Sequence, residues 1–187
     1  SRTWGFLEDY ACMVQGLLDL FEATGEVPWL ERALELQELQ DAHHGDAGRG
    51  GWFATPDDGE TGLVRPRPDQ DGAEPCGNSV GAMNLVRLAA LTGAERWRAA
   101  AEATLRAFAA RLEELPGALP EMLGAVEAWH APMREVVLVW PDGRDKASVE
   151  PLLSVLRDTF VPHRTLAVAQ AGAGVVALAH RAPPVAG

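Results

Sequence analysis

The sequence is short of residues that several kinds of chemistry require. Of its 187 residues only two are cysteine, Cys12 and Cys76, and neither belongs to a C-x-x-C pair. That gives no disulfide framework. Basic residues are also scarce. Lys and Arg together number 16 against 27 Asp and Glu, a formal net charge of −11. Phosphate backbones and anionic membrane surfaces attract basic partners, so this balance argues against nucleic acid and against a membrane surface. Lys146 is the only lysine, and a Schiff-base lysine is not expected. No apolar run approaches the roughly 20 residues that a spanning helix needs. No signal peptide is visible, but the chain opens on Ser1 rather than Met, so targeting stays open. The expectation is a soluble, intracellular protein without a cofactor or a bound metal.

What is present is a globular composition, 47% hydrophobic and 23% charged, and an internal repeat. At a shift of 68 residues, Leu17, Leu20, Thr24, Gly25, Trp29 and Ala33 recur as Leu85, Leu88, Thr92, Gly93, Trp97 and Ala101. Each copy reads as a helical hairpin. Residues 9–24 place Met13, Leu17, Leu20 and Phe21 at helical spacing, and Gly25 supplies the stop. Residues 28–42 begin at Pro28, a favoured first-turn residue. The second copy predicts helices over 77–92 and 94–113. The first helix of each pair is apolar on most sides and the second is amphipathic, the pattern of inner and outer helices.

The connection between the copies, residues 43–76, is long for a compact fold and is expected to be functional. Gly50–Ala54 and Leu63–Arg67 flank Pro56-Asp57-Asp58-Gly59, which predicts a β-hairpin. A short helix is predicted at 118–129. Beyond it the grammar changes: a strand at 135–140, a helix at 146–158 and a strand at 165–169 form a β-α-β unit. The division is therefore a helical part over 1–130, an α/β appendage over 131–170 and a flexible tail over 171–187.

Two inner helices running the same way bring their starting ends to one mouth. Glu8, Asp9, Asp69, Asp71, Glu74 and Asn78 stand at those ends, and Arg65 and Arg67 arrive from the connection. Carboxylates, Arg and Asn suit a polyhydroxylated ligand, and Trp52 offers a stacking surface. Two opposed carboxylates also permit proton transfer. On this reading Asp71 or Glu74 transfers the proton, Arg67 meets an oxyanion or hydroxyl, and Glu8, Asp9, Trp52 and Asn78 bind substrate. The competing reading is that Asp and Asn at these positions simply cap helices. His43-His44-Gly45-Asp46 lacks a third metal ligand at recognisable spacing and reads as a polar loop. Cys76 reads as a small buried residue at a helix start.

Leu7-Glu8-Asp9-Tyr10-Ala11, the Thr-Gly and Trp-Leu of the first hairpin, Gly50-Gly51-Trp52-Phe53 and the block from Asp69 to Ser79 resemble the C-terminal part of the spermatogenesis-associated protein 20 family, also known as YyaL-type thioredoxin-domain proteins. The resemblance runs from about Trp4 to about Ala169. It implies an N-terminal thioredoxin-like domain followed by an (α/α)6 toroid similar to N-acylglucosamine 2-epimerases and six-hairpin glycosidases. This chain would then be two of six hairpins plus the α/β piece: a mainly α, partial toroid. The implied partners are a carbohydrate ligand, the missing hairpins and thioredoxin-like domain of the parent chain, or a second copy. The alternative function is a non-enzymatic interaction or scaffold module accompanying the thioredoxin-like domain.

Overall fold

The computed structural model describes residues 5–57, 64–131, 133–172 and 174–175. Most of the tail beyond Ala171, expected to be flexible, lies outside them. The elements are α1 (Leu7–Thr24), α2 (Val27–His44), α3 (Gly77–Thr92), α4 (Glu95–Glu114), α5 (Pro120–His130), β1 (Arg134–Trp140), α6 (Glu150–Asp158) and β2 (Arg164–Gln170). A single 3-10 turn precedes α5 and another precedes α6.

The 68-residue repeat holds down to individual hydrogen bonds. The Thr24 hydroxyl donates to the Leu20 carbonyl and the Thr92 hydroxyl to that of Leu88. Each threonine oxygen then accepts an N–H two residues on, from Glu26 and from Ala94. Gly25 and Gly93 close the helices at φ 72° and 62°, with their N–H groups bonded to Phe21 and Ala89. A left-handed residue at this position satisfies the last helical carbonyls, and glycine adopts it without a Cβ penalty. The helix that follows carries Pro28 in its first turn in one copy and Trp97, 3% exposed, in the other.

α1 packs on α2 and α3, and α3 packs in turn on α4 and α5. The row α1–α3–α5 therefore forms an inner layer, with α2 and α4 outside it. Leu7, Val14, Leu18 and Phe21 of α1 and Leu85 and Leu88 of α3 are fully or almost fully buried in one core with Leu30 and Trp97. α1 and α3 run the same way. Gly77 lies against Leu7 and Glu8, where an added Cβ would fall 2.5 Å from Leu7 Cγ. Further along, the Asn84 amide donates to the Ala11 carbonyl at 2.8 Å. Arg87 then pairs with Asp19 at 2.8 Å and Glu22 at 2.7 Å.

β1 and β2 pair in parallel, Arg134 opposite Arg164 through Trp140 opposite Gln170. Parallel neighbours need a crossover, and α6 supplies it. β2 alternates between two environments: Ala167 and Ala169 join the hairpin core, while Leu166 and Val168 face Val149 and Leu153. Small alanines let the strand approach the helices closely.

The predicted β-hairpin is not formed as a ladder among the described residues. Its two arms share one main-chain bond among the described residues, Ala54 N–H to the Pro66 carbonyl at 2.8 Å, and residues 58–63 at its tip lie outside the described residues. The reason is competition. The N–H and C=O of Trp52 are both taken by the Asn78 side chain, Phe53 N–H goes to the His44 carbonyl, and Pro66 has no N–H to give.

Candidate functional site

The starts of α1 and α3 meet at one end of the inner layer, as their parallel course requires. What the polar residues do there differs from residue to residue. Asp9 Oδ2 accepts the Phe6 N–H at 2.8 Å, a first-turn carboxylate satisfying a free helical donor. Asp71 is used on both sides: Oδ1 accepts the Cys76 N–H and Oδ2 the Glu121 N–H, each at 2.9 Å. Its own N–H donates to the Ala118 carbonyl. One carboxylate thus pins the start of α3 to the start of α5. Asp69 faces Arg111 at 3.4 Å.

Asn78 is fully buried. Its Oδ1 accepts the Trp52 N–H at 2.8 Å, and its Nδ2 donates to the carbonyls of Trp52 and Pro68, both at 2.9 Å. The amide acts as a piece of β-ladder welded to α3. Trp52 is itself 3% exposed, donates its indole N–H to Asp41 Oδ1 at 2.8 Å, and covers Gly81. The expected open stacking platform is therefore not formed, because the protein's own core covers the ring. Arg67 is taken up by internal partners. Its guanidinium lies over the Phe108 ring at 4.6 Å, faces Asp46 at 3.5 Å and donates to the Gly50 carbonyl. Burial pulls its pKa below the usual guanidinium range, against the pull of Asp46.

Glu8 and Glu74 are the two expected carboxylates whose side chains make no hydrogen bond or ion pair among the described residues. With Asp9, they act on Cys12, an exposed residue of α1. Desolvation is the first cause of that thiol's raised pKa, and Glu74, Glu8 and Asp9 add to it. A thiol so placed stays protonated and is a weak nucleophile. Cys76 is likewise held up, chiefly by burial.

A cavity of about 480 Å³ opens between α4 and α5, lined by Leu105, Leu112, Leu123, Val126, Trp129 and His130. Another, of about 290 Å³, is lined by Asp41, Asp46, Gly51, Trp52 and Thr104. Neither is bounded by Glu8, Asp9, Arg67, Asp71, Glu74 or Asn78.

Sequence reasoning overlooked a polar stripe on α2. Gln37, Gln40 and His44 are all fully buried, and Asp41 lies among them. Their spacing of 37, 40, 41 and 44 is core spacing, and that was the available signal. Asp41 Oδ1 accepts from Trp52 and, at 2.9 Å, from Gln37. Burial raises the Asp41 pKa in spite of those bonds. His44 Nδ1 lies 3.1 Å from the Phe53 carbonyl, so it carries the proton, and the ring sits 5.3 Å from that of Tyr10. Burial lowers its pKa and keeps the imidazole neutral. His44 therefore closes α2 as a core residue rather than a polar loop. His43 pairs with Asp57 at 3.3 Å. Among the described residues, no three His, Cys, Asp or Glu side chains are grouped to hold a metal. No described helix is long and apolar enough to cross a membrane.

No family model matches the sequence. Curated proteins do. Spermatogenesis-associated protein 20 of rat is 43% identical over 168 residues, and the human protein 41% over 167, each alignment covering 89% of this chain. The chain belongs to the spermatogenesis-associated protein 20 family. It spans about a fifth of the length of these curated relatives, 21% in both cases. "Uncharacterized protein B0495.5" of Caenorhabditis elegans is 37% identical over 134 residues. The family resemblance carried by the 7–11 and 69–79 segments thus agrees with the comparison over 89% of the chain. Those two segments are also where the helix starts meet.

Proposed function

We propose that this chain is a non-enzymatic interaction and scaffold module of the spermatogenesis-associated protein 20 family, forming part of the wall of an α/α toroid. One observation carries the reading. Three of the polar residues at the mouth are committed to architecture, with Asp9 and Asp71 bonded to backbone N–H groups and Asn78 locked to Trp52 and Pro68. Meanwhile an inner helix presents Phe6, Met13 and Leu20 to solvent, 62%, 57% and 43% exposed. Exposed apolar residues in register on one helix face are the mark of a contact surface. In this reading any redox chemistry belongs to the thioredoxin-like domain that the family resemblance implies, and this chain contributes shape.

A second reading keeps a carbohydrate, or an epimerase-like proton transfer, at the mouth of the completed toroid. It is favoured by Glu8 and Glu74, whose carboxylates remain unpaired among the described residues and both act on Cys12. The two readings separate by calorimetric titration of full-length human spermatogenesis-associated protein 20 with a panel of N-acylhexosamines. The scaffold reading expects no saturable heat. Saturable binding that disappears when the residues aligned with Glu8 and Glu74 are changed to glutamine overturns it.

A further inference from the structure

The internal repeat assigns an occupant to the exposed face of α1. On α3, the positions facing the preceding hairpin are 77, 81, 84 and 88. Gly77 sits on Leu7 and Glu8 of α1, and Gly81 is closed in by Trp52 and by Gln40 of α2. Asn84 bonds to Ala11 of α1, and Leu88 is fully buried. Shifted back by the 68-residue repeat, these become Asp9, Met13, Gly16 and Leu20. Those are the positions that α1 leaves open: Asp9 and Gly16 are exposed, Met13 and Leu20 are 57% and 43% exposed, and a Cβ built on Gly16 meets no atom within 4 Å. Cys12, also exposed, corresponds to Val80, which is 2% exposed. Phe6 extends the same face at the heptad interval 6, 13, 20.

We propose that this flank of α1 is the seat of a further hairpin of the same repeat, with its inner helix parallel to α1 and its outer helix over Met13. That hairpin comes from the part of the family protein that this chain does not span. The proposal rests on the scaffold reading above and names its partner. Two facts select the occupant. The relatives carry roughly four-fifths of their length outside the matched stretch, which is ample for further hairpins. The surface also continues an interface that α1 and α3 already make, using equivalent positions. A second copy of this chain fits poorly. A two-fold pair through this flank sets the two α1 helices face to like face. The repeat instead joins one flank to the opposite flank of a parallel neighbour, and on α1 that opposite flank is occupied by α3.

The test is co-expression of this chain with the portion of human spermatogenesis-associated protein 20 that lies outside the aligned stretch. The expected result is a one-to-one complex in which modification of Cys12 by N-ethylmaleimide, followed by mass spectrometry, is strongly slowed relative to the isolated chain. Gly16→Trp should weaken the complex by about 30-fold or more, the loss typical of a blocked contact centre. Because Gly16 is open in the isolated chain, the same variant should leave its melting temperature unchanged or raised, which separates a blocked surface from a failure to fold. If a complex forms while Cys12 reacts freely and Gly16→Trp binds equally, the seat is elsewhere and only the scaffold reading survives. If no complex forms, both fall. Self-association of the isolated chain that Gly16→Trp abolishes assigns the flank to a second copy and overturns the proposal.

Discussion

Asn84 donates its side-chain amide to the main-chain carbonyl of Ala11 across the seam between the two parallel inner helices, at 2.8 Å and with no solvent exposure. Neighbouring contacts at this seam are close backbone approach at Gly77 and the Arg87 ion pairs. The amide fixes the axial register of α3 on α1. Asn84→Ala removes the bond and leaves a small void, an expected loss of about 1–3 kcal/mol. For a chain of this size that lowers the melting temperature by about 2–4 °C per kcal/mol. An unchanged melting curve would show that the register is set by the other contacts of the seam.

Asp71 holds two helix starts with one carboxylate. Asp71→Asn keeps one acceptor but turns an amide N–H toward the second backbone donor. The expected cost is about 1–3 kcal/mol in urea unfolding. Hydrogen exchange should quicken at Cys76 and Glu121, the two amides now bonded to it. A proton-transfer residue behaves differently under the same change, with stability kept and a ligand-dependent signal lost. The pair of measurements therefore tells capping from catalysis.

The helices, the two strands and their parallel pairing were readable because their signals are local: apolar spacing, Gly25 and Gly93 as stops, and two short apolar runs around an amphipathic segment. The repeat was readable because its identities include capping residues that do the same job twice. The mouth was half readable. That Asp9, Asp71 and Asn78 gather there follows from two parallel helices. How each spends its hydrogen bonds depends on loops 50–57 and 64–76, whose path no periodicity encodes. Trp52 illustrates the limit. A tryptophan in a long polar connection looks like a ligand surface, yet Gly81 leaves a gap on α3 that the ring fills. The α2 stripe was misjudged for a related reason. Leu39 is 40% exposed while Gln37 and Gln40 are fully buried, because the face of α2 is set by partners such as Trp52 as well as by hydropathy.

The buried stripe makes a prediction about pH with two opposite signs. Asp41 has its folded pKa raised above the ordinary value of 3.8, chiefly by burial. Its contribution is present at low pH and is lost as pH rises through that raised value. His44 has its folded pKa lowered from 6.5, chiefly by burial. Its contribution is present above the unfolded value and is lost as pH falls through the folded one. Asp41→Asn keeps an oxygen for both Trp52 and Gln37 and removes the buried charge. The variant should gain on the parent in urea-derived stability steadily as pH rises above the ordinary carboxylate range. His44→Gln should flatten the fall in stability below about pH 6.5, the unperturbed imidazole value. A difference between Asp41→Asn and the parent that is constant over pH 4–8, from the ordinary carboxylate pKa upward, would remove burial as the source of the Asp41 shift.

The equivalent glycines of the two hairpins should respond unequally to the same change. Both sit at positive φ, so an alanine at either position pays the left-handed penalty of about 1–2 kcal/mol. Gly25 carries a further constraint. An added Cβ there falls 2.6 Å from the Val168 carbonyl oxygen and 3.1 Å from Val168 Cβ, and Lys146 donates to the carbonyl of Thr24 beside it. The turn of the first hairpin is thus the seat of β2. Gly93→Ala should lower stability by the backbone term and leave amide exchange in Arg164–Gln170 as it was. Gly25→Ala should cost more and speed exchange along β2, because the strand must lift to admit the methyl group. Equal losses with equal exchange would mean that the α/β unit is held by the alanine contacts of β2 and not by this turn.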